Sequence, residues 1–180
     1  MENNMSLQEV NVQKIARFWH ADQMYGEDPY MKHLDDVVAV IKEFMGRYEL
    51  CMTYDQLAAV GMLHDILEDT EITMEILIES LKHVGFKILP MVKAIKTLSN
   101  NSQSKFKHDI AGMSKYHVYN EIAKSTDATF IKLADRIANC ESGAKNDKYR
   151  KEMPMFYSLL YKEEGQFNNM WLRLFKALEK

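Results

Sequence analysis

"GMLHDILEDTEIT" spans residues 61 to 73 and sets a histidine and three acidic side chains, with Glu71 just beyond them, into what otherwise reads as an apolar helix. If Leu63, Ile66 and Leu67 face a core, then His64, Asp65, Glu68 and Asp69 share a neighbouring strip, because residues three and four apart lie on one helix face. Carboxylates that close repel one another, so something positive is expected among them. Immediately upstream, Thr53 is followed three residues later by Gln56, the reciprocal capping pattern of a helix start. The reading is a helix over residues 53–69 that carries the acidic strip.

Helical periodicity continues in both directions, and only three prolines and seven glycines interrupt it. A first helix is read from about Ser6 to Tyr25, with Val12, Ile15, Ala16 and Trp19 at helical spacing, and its end is marked by Gly26 and Pro29. Further helices are read over 34–48, 73–84, 87–98, 113–124, 127–141, 149–163 and 166–179, with Pro90 tolerated near a first turn. Residues 99–109, "SNNSQSKFKHD", form the most polar stretch and read as a loop. No strand pattern is found. The fold class is all-α, a bundle of about eight to ten helices within a single domain over residues 1–180. The C-terminal helices, residues 146–180, carry Phe156, Leu159, Leu160, Trp171, Leu174, Phe175 and Leu178 at helical spacing, which suits packing on the bundle or a dimer interface.

A net charge of −3, with basic and acidic residues interspersed, gives no basic stripe of the kind that drives nucleic-acid binding. Cys51 and Cys140 lack partners at metal-finger spacing, so neither a disulfide framework nor a structural zinc site is indicated, and a reducing cytoplasm fits. No stretch approaches the roughly 20 apolar residues of a membrane span, and no leader pattern opens the chain. The thirteen methionines read as adaptable core filler.

Two further positions match the acidic strip. "PYMKH" supplies His33 after a proline turn, and "IKLADRIAN" supplies Asp135 inside an apolar helix, where an unpaired carboxylate is costly to bury. With His64 and Asp65 they make a mixed nitrogen and oxygen donor set, suited to manganese, iron, cobalt, nickel or zinc more than calcium. Lys132 and Arg136 neighbour Asp135 as candidate salt-bridge partners. Gly61, one turn before the histidine, leaves the strip unobstructed or lets another helix pack closely.

Taken in order, "QMYGEDPYMKH", "LHDILEDT" and "IKLADRIAN" resemble the three motifs of the HD phosphohydrolase superfamily. The branch they resemble is the RelA/SpoT-type hydrolases, which remove the 3′-pyrophosphate of (p)ppGpp; together the motifs cover roughly residues 16 to 142. The resemblance implies metal ligands at His33, His64, Asp65 and Asp135, around one divalent ion, usually Mn2+. It implies that Glu68 and Asp69 orient and deprotonate the attacking water, and that Asn139 and Ser142 contact the substrate. The family's base-holding Arg falls here at about Met24 and Tyr25, so no guanidinium stack is available and Tyr25 is left to stack on a base. What the resemblance implies is a cytoplasmic, stand-alone hydrolase of a nucleotide, monomeric or homodimeric. The competing readings are a 5′-nucleotidase of the same superfamily and a nucleotide-sensing module without turnover.

Overall fold

The computed structural model describes residues 7–85, 87–99, 113–143, 145–162 and 165–179. The polar loop read at 99–109, with its Lys105, Lys107 and His108, lies almost wholly outside them. Among the described residues ten helical segments make up the architecture: α1 (Leu7–His20), α2 (Tyr30–Phe44), α3 (Tyr54–Leu63), α4 (Ile66–Asp69), α5 (Met74–Lys82), α6 (Ile88–Leu98), α7 (Met113–Ile122), α8 (Thr126–Glu141), α9 (Asn146–Leu160) and α10 (Asn168–Leu178). The all-α expectation is met, and the predicted helices fall on these segments within a few residues at most ends.

Local chemistry explains the boundaries. Thr53 and Gln56 form the predicted capping box: the Thr53 side chain accepts from Gln56 N–H at 3.4 Å, and the Gln56 side chain accepts from Thr53 N–H at 3.0 Å. Thr73 and Ser125 cap α5 and α8 in the simpler way. Pro90 sits in the first turn of α6, where its missing N–H costs nothing.

Two expectations are corrected. Residues 53–69 are not one helix: α3 ends at Leu63 and α4 begins at Ile66. Between them Asp65 adopts φ −102° and ψ 0°, outside the helical well in the sparsely populated bridge region. Also, α1 stops at His20, and residues up to Pro29 form a small ribbon, β1 (Met24–Tyr25) antiparallel to β2 (Asp28–Pro29), turned by Gly26 at φ +64°. Strands of two residues contain no alternation for a sequence pattern to reveal.

The middle of the molecule is α8. Every residue from Asp127 to Cys140 except Lys132 is buried, as expected of a helix packed on all sides. It lies against α2, α10 and α3, while α3 also meets α1 and α6. This arrangement brings α2, the α3–α4 junction and α8, which bear the three motifs, to one place. In the C-terminal helices Phe156, Leu160, Trp171, Leu174 and Leu178 enter the core, whereas Phe175 remains 38% exposed.

Gly61 is where α3 meets α2 most tightly. A Cβ there would lie 2.5 Å from Ile41 Cδ1, closer than carbon atoms approach, and Ile41 is fully buried. Close packing, the second of the two roles read from sequence, accounts for this glycine. Gly61→Val should cost about 1–3 kcal/mol by overpacking. Gly61→Ala should cost less, because Ile41 Cδ1 is the end of a rotatable side chain and alanine regains about 1 kcal/mol of helix propensity. Urea unfolding of the two variants beside the wild type measures both; a valine variant as stable as the parent would contradict this packing account.

Candidate metal centre

Four of the side chains singled out in the sequence converge. His33, His64, Asp65 and Asp135 each offer a ligand atom, and these atoms all lie within 4.8 Å of one another. Their helices explain why. His33 lies in the first turn of α2, His64 and Asp65 occupy the break between α3 and α4, and Asp135 projects from the middle of α8. Had the chain stayed helical through residue 65, the adjacent His64 and Asp65 side chains would diverge by about 100°.

The detail at each donor suits a cation. His64 is fully buried, and its Nδ1 makes a 2.7 Å hydrogen bond with the Gly61 carbonyl oxygen. A carbonyl only accepts, so Nδ1 carries the hydrogen and Nε2 is the ring nitrogen directed at the carboxylates. That Nε2 lies 2.9 Å from Asp65 Oδ2 and 3.4 Å from Asp135 Oδ1, yet makes no aligned hydrogen bond. His33 Nε2 is 3.5 Å from the same Asp135 oxygen. A buried nitrogen without a hydrogen-bond partner, facing two carboxylates and a second imidazole, is the arrangement a divalent cation completes. The residues present therefore fit the ion.

Asp135 is the most constrained of the four. Its Oδ2 is 2.7 Å from Lys132 Nζ, and its Oδ1 accepts from Asn139 Nδ2 at 2.5 Å and faces both histidines. Burial pushes its pKa up, but Lys132 and the two histidines outweigh burial and hold it well below the ordinary carboxylate range. Lys132 is thus the salt-bridge partner read from sequence. Arg136 turns the other way, donating to Tyr119 Oη at 2.8 Å and Glu152 Oε2 at 3.3 Å between the rings of Tyr149 and Phe156.

The remaining predicted residues divide. Glu68 and Asp69 line the same cavity of about 350 Å³ as Asp65, Asp135, Tyr25 and Asn139. Asn139 sits between Asp135 and the Tyr25 hydroxyl, which donates to its side-chain oxygen. Ser142 does not line this cavity: its hydroxyl donates 2.8 Å to the Asn139 carbonyl at the end of α8, beside a separate cleft. The Tyr25 ring stacks on His33, with centroids 4.7 Å apart at 18°, and the Lys145 ammonium lies 4.5 Å from its centroid. One face of that ring therefore buttresses a candidate ligand.

Sequence reasoning missed two groups. Tyr30 donates its hydroxyl toward Asp65 Oδ2 at 2.8 Å and Asp69 Oδ2 at 2.6 Å. Burial and both carboxylates push its phenol far above the ordinary range, so it remains a donor. Lys115, Lys145 and Lys148 also line the cavity, with Tyr149. Burial, together with Lys115 and Lys145, draws the Lys148 ammonium below the ordinary lysine range, the mark of a site with positive potential. These cations come from α7, α9 and the turn before it, segments without any motif.

The pKa shifts fix how the cation-free protein responds to pH. Burial lowers the His64 value, but Asp65 and Asp135 overcome it and raise it from 6.5 to about 10. The stabilisation from His64 is therefore complete below pH 6.5 and is lost as pH rises toward about 10. Burial depresses His20 and His33, so below their ordinary value of 6.5 the unfolded chain takes up protons that the folded protein refuses, and stability falls again. Chelator-treated protein should show its highest urea midpoint near neutrality, with lower values at about pH 5 and about pH 9. A midpoint that climbs steadily to about pH 9 would contradict the assigned His64 environment.

No family model matches the chain. Over 113 residues, 62% of this chain, it is 29% identical to a Synechocystis protein described as a probable guanosine-3′,5′-bis(diphosphate) 3′-pyrophosphohydrolase. The matched stretch is only 13% of that relative's length. Among solved structures, the chain is similar to a metazoan ortholog of SpoT that hydrolyses ppGpp and plays a role in starvation responses. The TM-score is 0.70 at 20% identity, over 97% of this chain and 96% of the other. The fold of this protein is therefore that of a SpoT ortholog, shared over nearly the whole length of both.

Proposed function

We propose that this chain is a divalent-metal-dependent nucleotide pyrophosphohydrolase that removes the 3′-pyrophosphate of (p)ppGpp, with one Mn2+ per chain held by His33, His64, Asp65 and Asp135. One observation carries the reading: residues of the four-donor cluster share a cavity with the Glu68–Asp69 pair and with Lys115, Lys145 and Lys148. The activity stated for the Synechocystis relative and for the SpoT ortholog supports the same substrate. The reading extends to a single HD-type domain over residues 1–180, acting in the cytoplasm as a monomer or homodimer. Among the described residues no helix is long and apolar enough to cross a membrane.

When bound, the cation supplies a polarised phosphoryl oxygen and a water of lowered pKa. The protein's own groups do the rest. Asp69, with Oδ2 engaged by Tyr30, keeps Oδ1 to take a proton from the attacking water, and Glu68 helps to orient that water. Lys145 and Lys148 receive the phosphate oxygens. They stand at the N-terminal end of α9, where the helix dipole already favours anions. Asn139, fixed between Asp135 and Tyr25, presents its amide to the substrate, while the Ser142 hydroxyl holds the Asn139 carbonyl at the end of α8.

Mn2+-loaded protein incubated with ppGpp, pppGpp and nucleoside monophosphates should release pyrophosphate from the first two. Nucleoside plus phosphate from the monophosphates would assign a 5′-nucleotidase instead, and silence from folded, metal-replete protein across the panel would refute the hydrolase reading. Asp69→Asn should lower kcat by about 10²–10⁴-fold while Mn2+ affinity stays within a few-fold. A sensing module would show no such loss.

Activity should also fall in acid, as the ligand histidines take up protons and release the ion. The rate profile with Mn2+ held constant tests this, and activity that stays level down to about pH 5 would contradict it.

A further inference from the structure

Tyr30 is 5% exposed and held on every side. Its ring stacks on His20, centroids 4.4 Å apart at 10°, and meets His33 and Tyr25 edge-on at 5.6 and 6.0 Å. His20 Nδ1 in turn lies 2.7 Å from Gln23 Oε1, and Tyr30 N–H donates to the Gln23 carbonyl at 2.8 Å. The phenol therefore has little freedom to swing, and its oxygen is fixed 2.6 Å from Asp69 Oδ2 and 2.8 Å from Asp65 Oδ2.

A phenol has one hydrogen to donate, and two carboxylates compete for it. A cation held at Asp65 withdraws electron density from that carboxylate and makes it the weaker acceptor. The hydrogen is then committed to Asp69. Resting on the roles proposed above for Asp65 and Asp69, we infer that Tyr30 is a positioning residue that couples the cation-binding carboxylate to the water-activating one. Cation binding turns the shared hydroxyl to Asp69, which fixes Oδ2 and leaves Oδ1 as the oxygen that accepts the proton. The coupling makes Asp69 well oriented only when the cation is in place. His20 is the support that keeps the hydroxyl between its two acceptors.

Tyr30→Phe removes the hydroxyl and keeps the ring. Two measurements read the result: Mn2+ affinity, from the free-ion electron paramagnetic resonance signal, and steady-state kinetics alone and combined with Asp69→Ala. The expected outcome is Mn2+ binding tightened by about fivefold or more, because the hydroxyl no longer competes with the cation for Asp65, and kcat lowered by about 10–100-fold, the usual range for groups that orient the residues of a metal site. KM should stay within about threefold, and adding Y30F to D69A should cost less than about threefold more in kcat, because the two act through one carboxylate.

Unchanged or weakened Mn2+ affinity in Y30F, or a full Y30F penalty persisting in the D69A background, would overturn the inference. If the wild type turns over no nucleotide, the proposed function fails by itself, and the Mn2+ comparison still decides whether Tyr30 is tied to Asp65. Should Y30F not fold, His20→Phe, which keeps a stacked ring but severs the tie to Gln23, should give the same pattern at smaller size. Wild-type behaviour of that variant would likewise overturn it.

Discussion

A carboxylate in the middle of a fully packed helix governs the rest of this molecule. Asp135 is 3% exposed on α8, and an ionised carboxyl at that depth is tolerated only with partners on all its lone pairs. Lys132 occupies one oxygen, while Asn139 and the two histidines crowd the other. The lysine comes from the same helix three residues earlier, so it balances the charge locally. The histidines come from α2 and the α3–α4 break, so satisfying Asp135 also fixes how those segments dock. Replacing Asp135 would leave Lys132 as a half-buried cation without its counter-ion, which is why this position ties fold and site together so firmly.

Gly61 shows the same economy. Its missing Cβ admits Ile41 and lets α2 close on α3, which brings His33 within reach of the cluster. Its carbonyl oxygen accepts from His64 Nδ1 and so directs Nε2 inward. One residue thus sets both the distance between two ligand-bearing elements and the tautomer of one ligand.

Much of this was legible in the sequence. The helices were visible because their apolar faces repeat at 3.6 residues, and Thr53–Gln56 announced its helix start through a side-chain pattern that works locally. The four donors were legible because each sits in a distinctive short motif, and Asp135 stood out as a charge in an apolar run. The helix break at His64–Asp65 left no trace, since neither residue is a helix breaker and the turn is imposed by surrounding contacts. The stacking of Tyr25 on His33 was not legible, because it is made by the ribbon, which two-residue strands cannot advertise. Tyr30 was hidden because its role depends on a hydroxyl meeting carboxylates 35 and 39 residues away. Lys115, Lys145 and Lys148 read as ordinary surface charges until α7 and α9 folded over the cavity.

The cavity lining carries both carboxylates and ammonium groups, as the proposed function requires of a site for a cation and a polyanion. Around Asp65 the carboxylates outnumber the lysine available to them, since Lys132 already belongs to Asp135. Elsewhere in the lining Glu152 holds Lys115 and Arg136, and Tyr119 bridges the same group. That network uses up two cations and anchors the wall. Among the described residues, Lys145 and Lys148 then remain without an ion pair, beside the positive end of α9, where a protein shaped for stability alone would place acids. Two unpaired cations there raise the electrostatic cost of the folded state until an anion arrives. The carboxylates around Asp65 and the ammonium groups of Lys145 and Lys148 thus line one cavity. Under the proposed function a phosphate chain bound there would be oriented by these opposite charges.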